Sequence, residues 1–160
     1  MALRRAVPGD IDTIIALIRG LAEYERAPEA VTLERDELAR HLFGPRPYAE
    51  VLIADTDAGE AAGFALFFHN FSTWLGKPGI YLEDLFVRPE LRGRGHGRAL
   101  LAEVARLAVE RGCGRVEWSV LDWNEPAIGF YRALGAAPQD EWTTFRLEGE
   151  ALRRAGNRTA

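Results

Sequence analysis

Cysteine, lysine and long apolar runs are what this chain has least of. A single cysteine, Cys113, among 160 residues rules out an intrachain disulfide, as expected of a protein from a reducing compartment. Flanked by Gly112 and Gly114, Cys113 reads as filler in a helix-to-strand turn rather than as a nucleophile. No apolar run approaches the roughly 20 residues that a helix needs to span a bilayer. The N-terminus, Met1-Ala2-Leu3-Arg4-Arg5, lacks the apolar stretch of a signal peptide, so a cytoplasmic location is expected. Of the 20 basic residues only Lys77 is not arginine, a bias that reflects coding more than chemistry. His41, His69 and His96 lie far apart without ligand spacing, so no metal is expected.

What is present is the composition of a globular protein: 48% apolar and 28% charged residues. The length suits one domain over residues 1–160, with an ordered core at about 3–154 and a loose C-terminal tail. A net charge of −4 argues against a nucleic-acid partner, and nothing in the chain points to a membrane.

Period and punctuation divide the chain into elements. Residues 3–7 predict a first strand closed by Pro8-Gly9, and Asp10 predicts the N-cap of a helix carrying Ile11, Ile14, Ile15, Ile18 and Leu21. That helix should fade near Tyr24-Glu25, and Thr32 predicts the cap of a shorter helix ending near Leu42. Residues 48–54 and 61–71 read as strands joined by a hairpin loop, and 80–87 as the next strand. A long helix at 99–109, a strand at 115–121, a helix opening at Pro126 and a last strand at 142–147 complete the order. Early hairpins followed by crossover helices indicate a mixed α/β sheet.

Between the strand at 80–87 and the long helix lies Arg92-Gly93-Arg94-Gly95-His96-Gly97. Glycines at a helix mouth let backbone N–H groups approach an anion, and the helix dipole adds about half a positive charge there. Arg92, Arg94 and Arg98 add full charges. A dinucleotide turn would need a third glycine where Arg98 stands, and would follow the first strand rather than the fourth. A phosphate-binding loop of the Walker type would need a Lys-Ser/Thr pair, which is missing.

Arg92-x-x-Gly95-x-Gly97 in a chain with this order of elements resembles the GNAT superfamily of acetyl-CoA-dependent N-acetyltransferases. Tyr24-Glu25, Ser72-Thr73-Trp74, Tyr81-Leu82-Glu83-Asp84, Val120-Leu121-Asp122-Trp123-Asn124 and Phe130-Tyr131 look like its diamine acetyltransferase branch, which includes spermidine/spermine and thialysine N-epsilon-acetyltransferases. The resemblance implies a single-domain α/β fold: a mixed, mostly antiparallel sheet with helices on both faces and a splayed central strand. It implies acetyl-CoA as cosubstrate, held by Gly93, Arg94, Gly95, His96, Gly97 and Arg98 together with Arg92. It assigns Leu85, Phe86 and Val87 to the splayed strand that pairs with the pantetheine arm, and sets Asn124, Glu125, Pro126 and Ala127 beside the same arm. His96 contributes its backbone N–H rather than its ring.

Acetyl transfer needs a proton for the departing thiolate and a base for the amine. Tyr131, in the matched Asn-Glu-Pro-x-x-x-Phe-Tyr block, is the candidate proton donor; a phenol with pKa near 10 can protonate a thiolate within reach. Periodicity alone would make it a core aromatic. Glu83 and Asp84 are adjacent acids in an apolar strand, so alternation predicts opposite faces, with an arginine ion pair expected for Asp84. The resemblance puts Glu83 at the amine as cation holder and base, directly or through water. It also makes Tyr24, Glu25, Glu117, Trp118 and Ser119 acceptor contacts, and Asp140 a candidate acid in a loop shorter than that of the polyamine enzymes. Trp74 and Trp142 either wall an aliphatic amine or belong to the core.

Ser72 stands where the polyamine enzymes carry an aspartate, which favours a lysine-like or thialysine-like amine over a small diamine or polyamine. Related enzymes are often homodimers, so a homodimer is an open expectation. Two other readings stay open: an acyl-CoA-binding sensor on the same fold, and an acetyltransferase acting on a protein amine.

Overall fold

The apolar run at 61–71 becomes the middle of the sheet. In the computed structural model, which describes residues 1–157, it forms strand β3 (Ala61–Ser72), set between β2 (Glu50–Asp55) and β4 (Lys77–Val87). The edges are β1 (Ala2–Arg5) and β5 (Val116–Trp118), in the order β1-β2-β3-β4-β5. Pairs from β1 to β4 are antiparallel, and β4 meets β5 in parallel. The helices are α1 (Ile11–Tyr24), α2 (Arg35–Phe43), α3 (His96–Glu110), α4 (Glu125–Ala133) and α5 (Gly149–Gly156). The chain forms two compact units, Met1–Leu121 with the sheet and α1 to α3, and Asp122–Ala160 with α4 and α5. Among the described residues no helix is long and apolar enough to cross a membrane.

Alternation in the strands sends one set of side chains to each helix layer. Val51, Ile53, Phe64, Leu66 and Phe86 pack with Ile11, Ile14, Ile15 and Leu17 of α1 and Leu42 of α2. Each such side chain contributes about 1.5–3 kcal/mol when fully buried. The alternate residues Leu52, Ala65 and Phe67 are also buried. Leu52 lines a shallow cavity with Leu107 of α3, and the Arg111 guanidinium that follows α3 lies 6.0 Å from the Phe67 ring. Helices therefore cover both faces.

An ion triad ties β1 to this layer. The Arg4 guanidinium donates to Asp55 at 2.6 Å and to Asp10 at 2.8 Å, and that pairing holds the Asp10 carboxyl below the usual aspartate range. Asp10 stands at the N-cap of α1 as expected, yet its carboxylate accepts from the Val7 N–H at 2.8 Å and caps no first-turn amide. At α2 the cap is Glu34, which accepts from the Asp36 and Glu37 N–H groups, and not Thr32. Glu34 wins because its carboxylate sits next to the helix start and reaches two orphan amides at once.

Three other elements differ from expectation. The strand expected over 115–121 is only Val116–Trp118, whose pairing with β4 runs from Ile80 to Leu82 and no further. Residues 142–147 form no strand. Their large apolar side chains, Trp142, Phe145 and Leu147, fall on both parities and are all exposed, so pairing would bury no single apolar face. The tail expected to be loose after Arg154 is helical to Gly156; its last three residues, 158–160, lie outside the described part.

Candidate active site

Strand β4 carries one residue more than β3 can match. Leu66 pairs with Asp84 and Phe67 with Leu82, leaving Glu83 as the extra residue of a β-bulge. Bulges bend a strand and disturb its alternation. Asp84 thus shares the face of Leu66 and Phe86, toward α1, while Tyr81 lies opposite Phe68 on that same face. Glu83 and Asp84 are therefore not sent to opposite sides as the period-two reading predicts.

The bulge brings three acids together. Glu25 is the C-cap of α1. Burial of its carboxyl, and then the charge of Glu83, hold it above the usual glutamate range. Asp84 is half-buried, and burial first, then Glu83 and Glu25, push its carboxyl up to about 7. Among the described residues no arginine, lysine or histidine forms an ion pair with Asp84, so the expected arginine partner is not found. Its charge is checked by protonation instead. Glu83 is exposed beside it. Three neighbouring carboxylates favour a cationic guest.

Next to Glu83, the Tyr81 hydroxyl shares a 2.7 Å hydrogen bond with Ser119. Tyr81 entered the sequence reading only within the block Tyr81-Leu82-Glu83-Asp84; its contact was not predicted, because Ser119 lies beyond the end of β5. Glu117 is engaged by Asn70 at 3.2 Å and Arg115 at 3.1 Å, and Trp118 pairs in register with Leu82. Ser72 is buried and accepts from the Leu75 N–H at 3.2 Å, so its hydroxyl serves the hairpin turn. Trp74, at that turn, and Trp142 are exposed and belong to no core.

The glycine-loop side begins where β4 leaves β5. Pairing with β5 stops at Leu82, so the edge through Leu85, Phe86 and Val87 is not engaged by β5. The chain then turns through Pro89–Leu91 into the glycine loop. Gly93 and Gly95 have φ of 76° and 87°, a region that side chains rarely adopt. At Gly97 an added Cβ would make only an ordinary contact, 3.6 Å from Val87 Cγ2. No side chain caps α3, so the first-turn N–H groups of His96, Gly97 and Arg98 keep their anion-binding capacity. Arg94 and Arg98 are exposed, and His96 is buried with its ring Nδ1 unpartnered. Arg92 does something else: its Nε donates to the Val87 carbonyl at 3.0 Å, and its guanidinium lies 4.5 Å from the centre of the Tyr24 ring.

The second unit carries the remaining candidates. Asn124 is buried at the N-cap of α4 and accepts from the Ala127 N–H at 3.4 Å, with Glu125 and Pro126 in the first turn. Tyr131 is half-buried on α4, its ring 5.7 Å from that of Phe130. Asp140 is exposed in a turn.

Comparison with known proteins identifies the family. A family model described as the acetyltransferase (GNAT) family matches residues 14–136, a span that runs across both units. Thialysine N-epsilon-acetyltransferase of Bos taurus is 40% identical, the match covering 94% of each chain. L-ornithine N5-acetyltransferase of Arabidopsis thaliana is 34% identical over 94% of this chain and 85% of its own. Among solved structures, an integron cassette protein from the mobile metagenome of V. cholerae matches with a TM-score of 0.78 at 26% identity, covering 96% of both chains.

The raised Asp84 carboxyl has a signed consequence for stability. Its unfolded value is near the ordinary 3.8 and its folded value about 7. Stability linked to the protonated group is full below pH of about 4 and is lost as pH rises to about 7. Asp84→Asn removes that loss, so its gain over the parent protein is larger at about pH 8 than at about pH 5, by roughly 2–3 kcal/mol. Urea unfolding at the two pH values measures it, and an equal gain at both contradicts the buried, unpaired carboxyl.

Proposed function

The chain belongs to the acetyltransferase (GNAT) family, and on that footing we propose that it moves an acetyl group from acetyl-CoA to the primary amine of a small cationic molecule. The preferred acceptor is a lysine-like or thialysine-like side-chain amine, followed by a small diamine or polyamine. The observation that carries this reading is the acid group of Glu25, Glu83 and Asp84, in which Glu83 raises both neighbours and Glu25 raises Asp84. Relatives named for thialysine and ornithine, both amino acids with a side-chain amine, support the same order.

Acetyl-CoA supplies the acetyl group as a thioester. The glycine loop fits its pyrophosphate, since Gly93 and Gly95 hold positive φ and α3 opens without a side-chain cap. The β4 edge at Leu85, Phe86 and Val87, unpaired with β5, fits an amide-bearing arm that hydrogen-bonds as a strand would.

The acceptor arrives as an ammonium ion, since alkylamines have pKa near 10. Glu25 holds the incoming ammonium by its charge, and Glu83 takes its proton, directly or through water. The freed nitrogen forms the new C–N bond as the C–S bond breaks, and sheds its second proton to solvent. Tyr131 gives its phenolic proton to the leaving sulfur and is reprotonated from solvent, so the net products are the amide, free thiol and one proton. Tyr24, Glu117, Trp118, Ser119 and Asp140 complete the proposed acceptor contacts, and Asn124, Glu125, Pro126 and Ala127 those of the cosubstrate arm. The carboxylates and the loop lie in the first unit and Tyr131 in the second, so one domain over the whole chain is part of this proposal.

An amine panel with acetyl-CoA tests the reading. Thialysine, lysine and ornithine are expected to be acetylated ahead of diamines and polyamines. Binding of acetyl-CoA with no acetylation of any member would replace an enzyme by a sensor of acyl-CoA. Tyr131→Phe is expected to keep the fold and to lower turnover at saturating substrate at least about tenfold. Unchanged turnover removes Tyr131 from the chemistry.

A further inference from the structure

Arg92 heads the glycine loop, where a cation is expected to face an anion. Its guanidinium is spent otherwise. The Nε donates to the Val87 carbonyl at 3.0 Å, and the head lies 4.5 Å from the ring centre of Tyr24 and 5.5 Å from that of Phe86. Arg94 and Arg98, by contrast, are exposed and make no ion pair among the described residues. They are the loop's available charges.

The two rings that Arg92 touches flank the acids. Tyr24 ends α1 and precedes Glu25, while Phe86 lies two residues beyond Asp84 on the same face of β4. The helix end is also strained. Arg26 has a φ of 62°, the left-handed conformation usually left to glycine, with its N–H donating to Glu23 and that of Ala27 to Ala22. Such a residue costs on the order of 1–3 kcal/mol and persists only where surrounding contacts hold it. Gly20, one turn earlier, packs against the Phe86 ring so closely that an added Cβ would lie 3.0 Å from it. The end of α1 is thus seated on Phe86, with Arg92 as the clamp from outside.

We propose that Arg92 is a positioning residue of the amine site: it fixes Glu25 by clamping the last turn of α1 to the start of the glycine loop, and it is not a ligand of the anion. This rests on the acetyl-transfer reading for its kinetic consequence, though not for its structural one. A filled loop would stiffen Val87 and the Arg92 backbone, and through the guanidinium the turn that carries Glu25. Binding of the donor then prepares the acceptor site.

The test uses Arg92→Met, which keeps the stem and removes the cation and its hydrogen bond. The KM for the best amine of the panel is expected to rise about fivefold, the equivalent of one cation–π contact. The acetyl-CoA dissociation constant, measured by calorimetry, should change less than about twofold. Arg92→Lys, which keeps a cation for the ring, should recover most of the amine KM. Tyr24→Leu combined with Arg92→Met should raise KM little beyond the larger single effect, because both break one contact. A rise in the acetyl-CoA constant as large as that in the amine KM overturns the proposal, as does no change in either. Amide hydrogen exchange at Arg26 and Ala27 supplies a readout independent of activity. Arg92→Met should speed it about fivefold even if no amine proves to be a substrate, and unchanged exchange contradicts the clamp.

Discussion

Glu83 is one residue more than β3 can pair, and the sheet responds by bending β4 at that point. Three features depend on this single irregularity. Asp84 turns to the α1 face beside Glu25 instead of opposite Glu83. Pairing between β4 and β5 ends at Leu82. The chain beyond runs with one free edge into the glycine loop. A regular β4 would have kept its acids on separate faces and would have let β5 occupy the edge. In the proposed function, the acceptor charges and the donor edge both follow from one change of register.

Electrostatics then separates the two sides. Three carboxylates crowd together beside the bulge, and the cost is visible as raised proton affinity at Glu25 and Asp84. The donor side has the opposite sign: uncapped N–H groups at the start of α3, its dipole, and the exposed Arg94 and Arg98. A cation and an anion are thereby directed to different ends of the same strand. Arg92 lies between them, with its charge against the rings of Tyr24 and Phe86. Elsewhere the same chemistry is structural, as where Arg4 joins Asp10 and Asp55 or Arg111 grips Glu50 at 2.7 and 2.9 Å. Those pairs join β1 to α1 and β2, and α3 to β2, and leave the acids at the site uncompensated.

Much of this was legible in the residues. Gly93 and Gly95 announce a loop that needs positive φ, Asn124 and Pro126 announce a helix start, and the strands at the centre show their alternation. The family likeness in the blocks from Tyr24 to Tyr131 carried the acetyl-transfer expectation. The bulge was not legible, because a pattern of period two has no mark for a residue that pairs with nothing. Missing it misplaced Asp84 and supplied it with an arginine partner that is not found among the described residues. Helix capping went to Glu34 over Thr32 because proximity to two amides outweighs the usual preference for a short hydroxyl side chain. At 142–147 the hydrophobicity was read and its split between two faces was not. Arg92 was assigned by its charge and its place in the family motif, whereas its guanidinium lies against Tyr24, distant in sequence, and Phe86.

The central claim is that the bulge leaves the edge of β4 open for the donor. Amide hydrogen exchange of residues 83–87, followed by NMR with and without saturating acetyl-CoA, tests it directly. The account predicts fast exchange in the free protein at the amides that β3 does not engage, slowed at least about tenfold once the donor is bound. Exchange already slow in the free protein, or unchanged by bound acetyl-CoA, would contradict it.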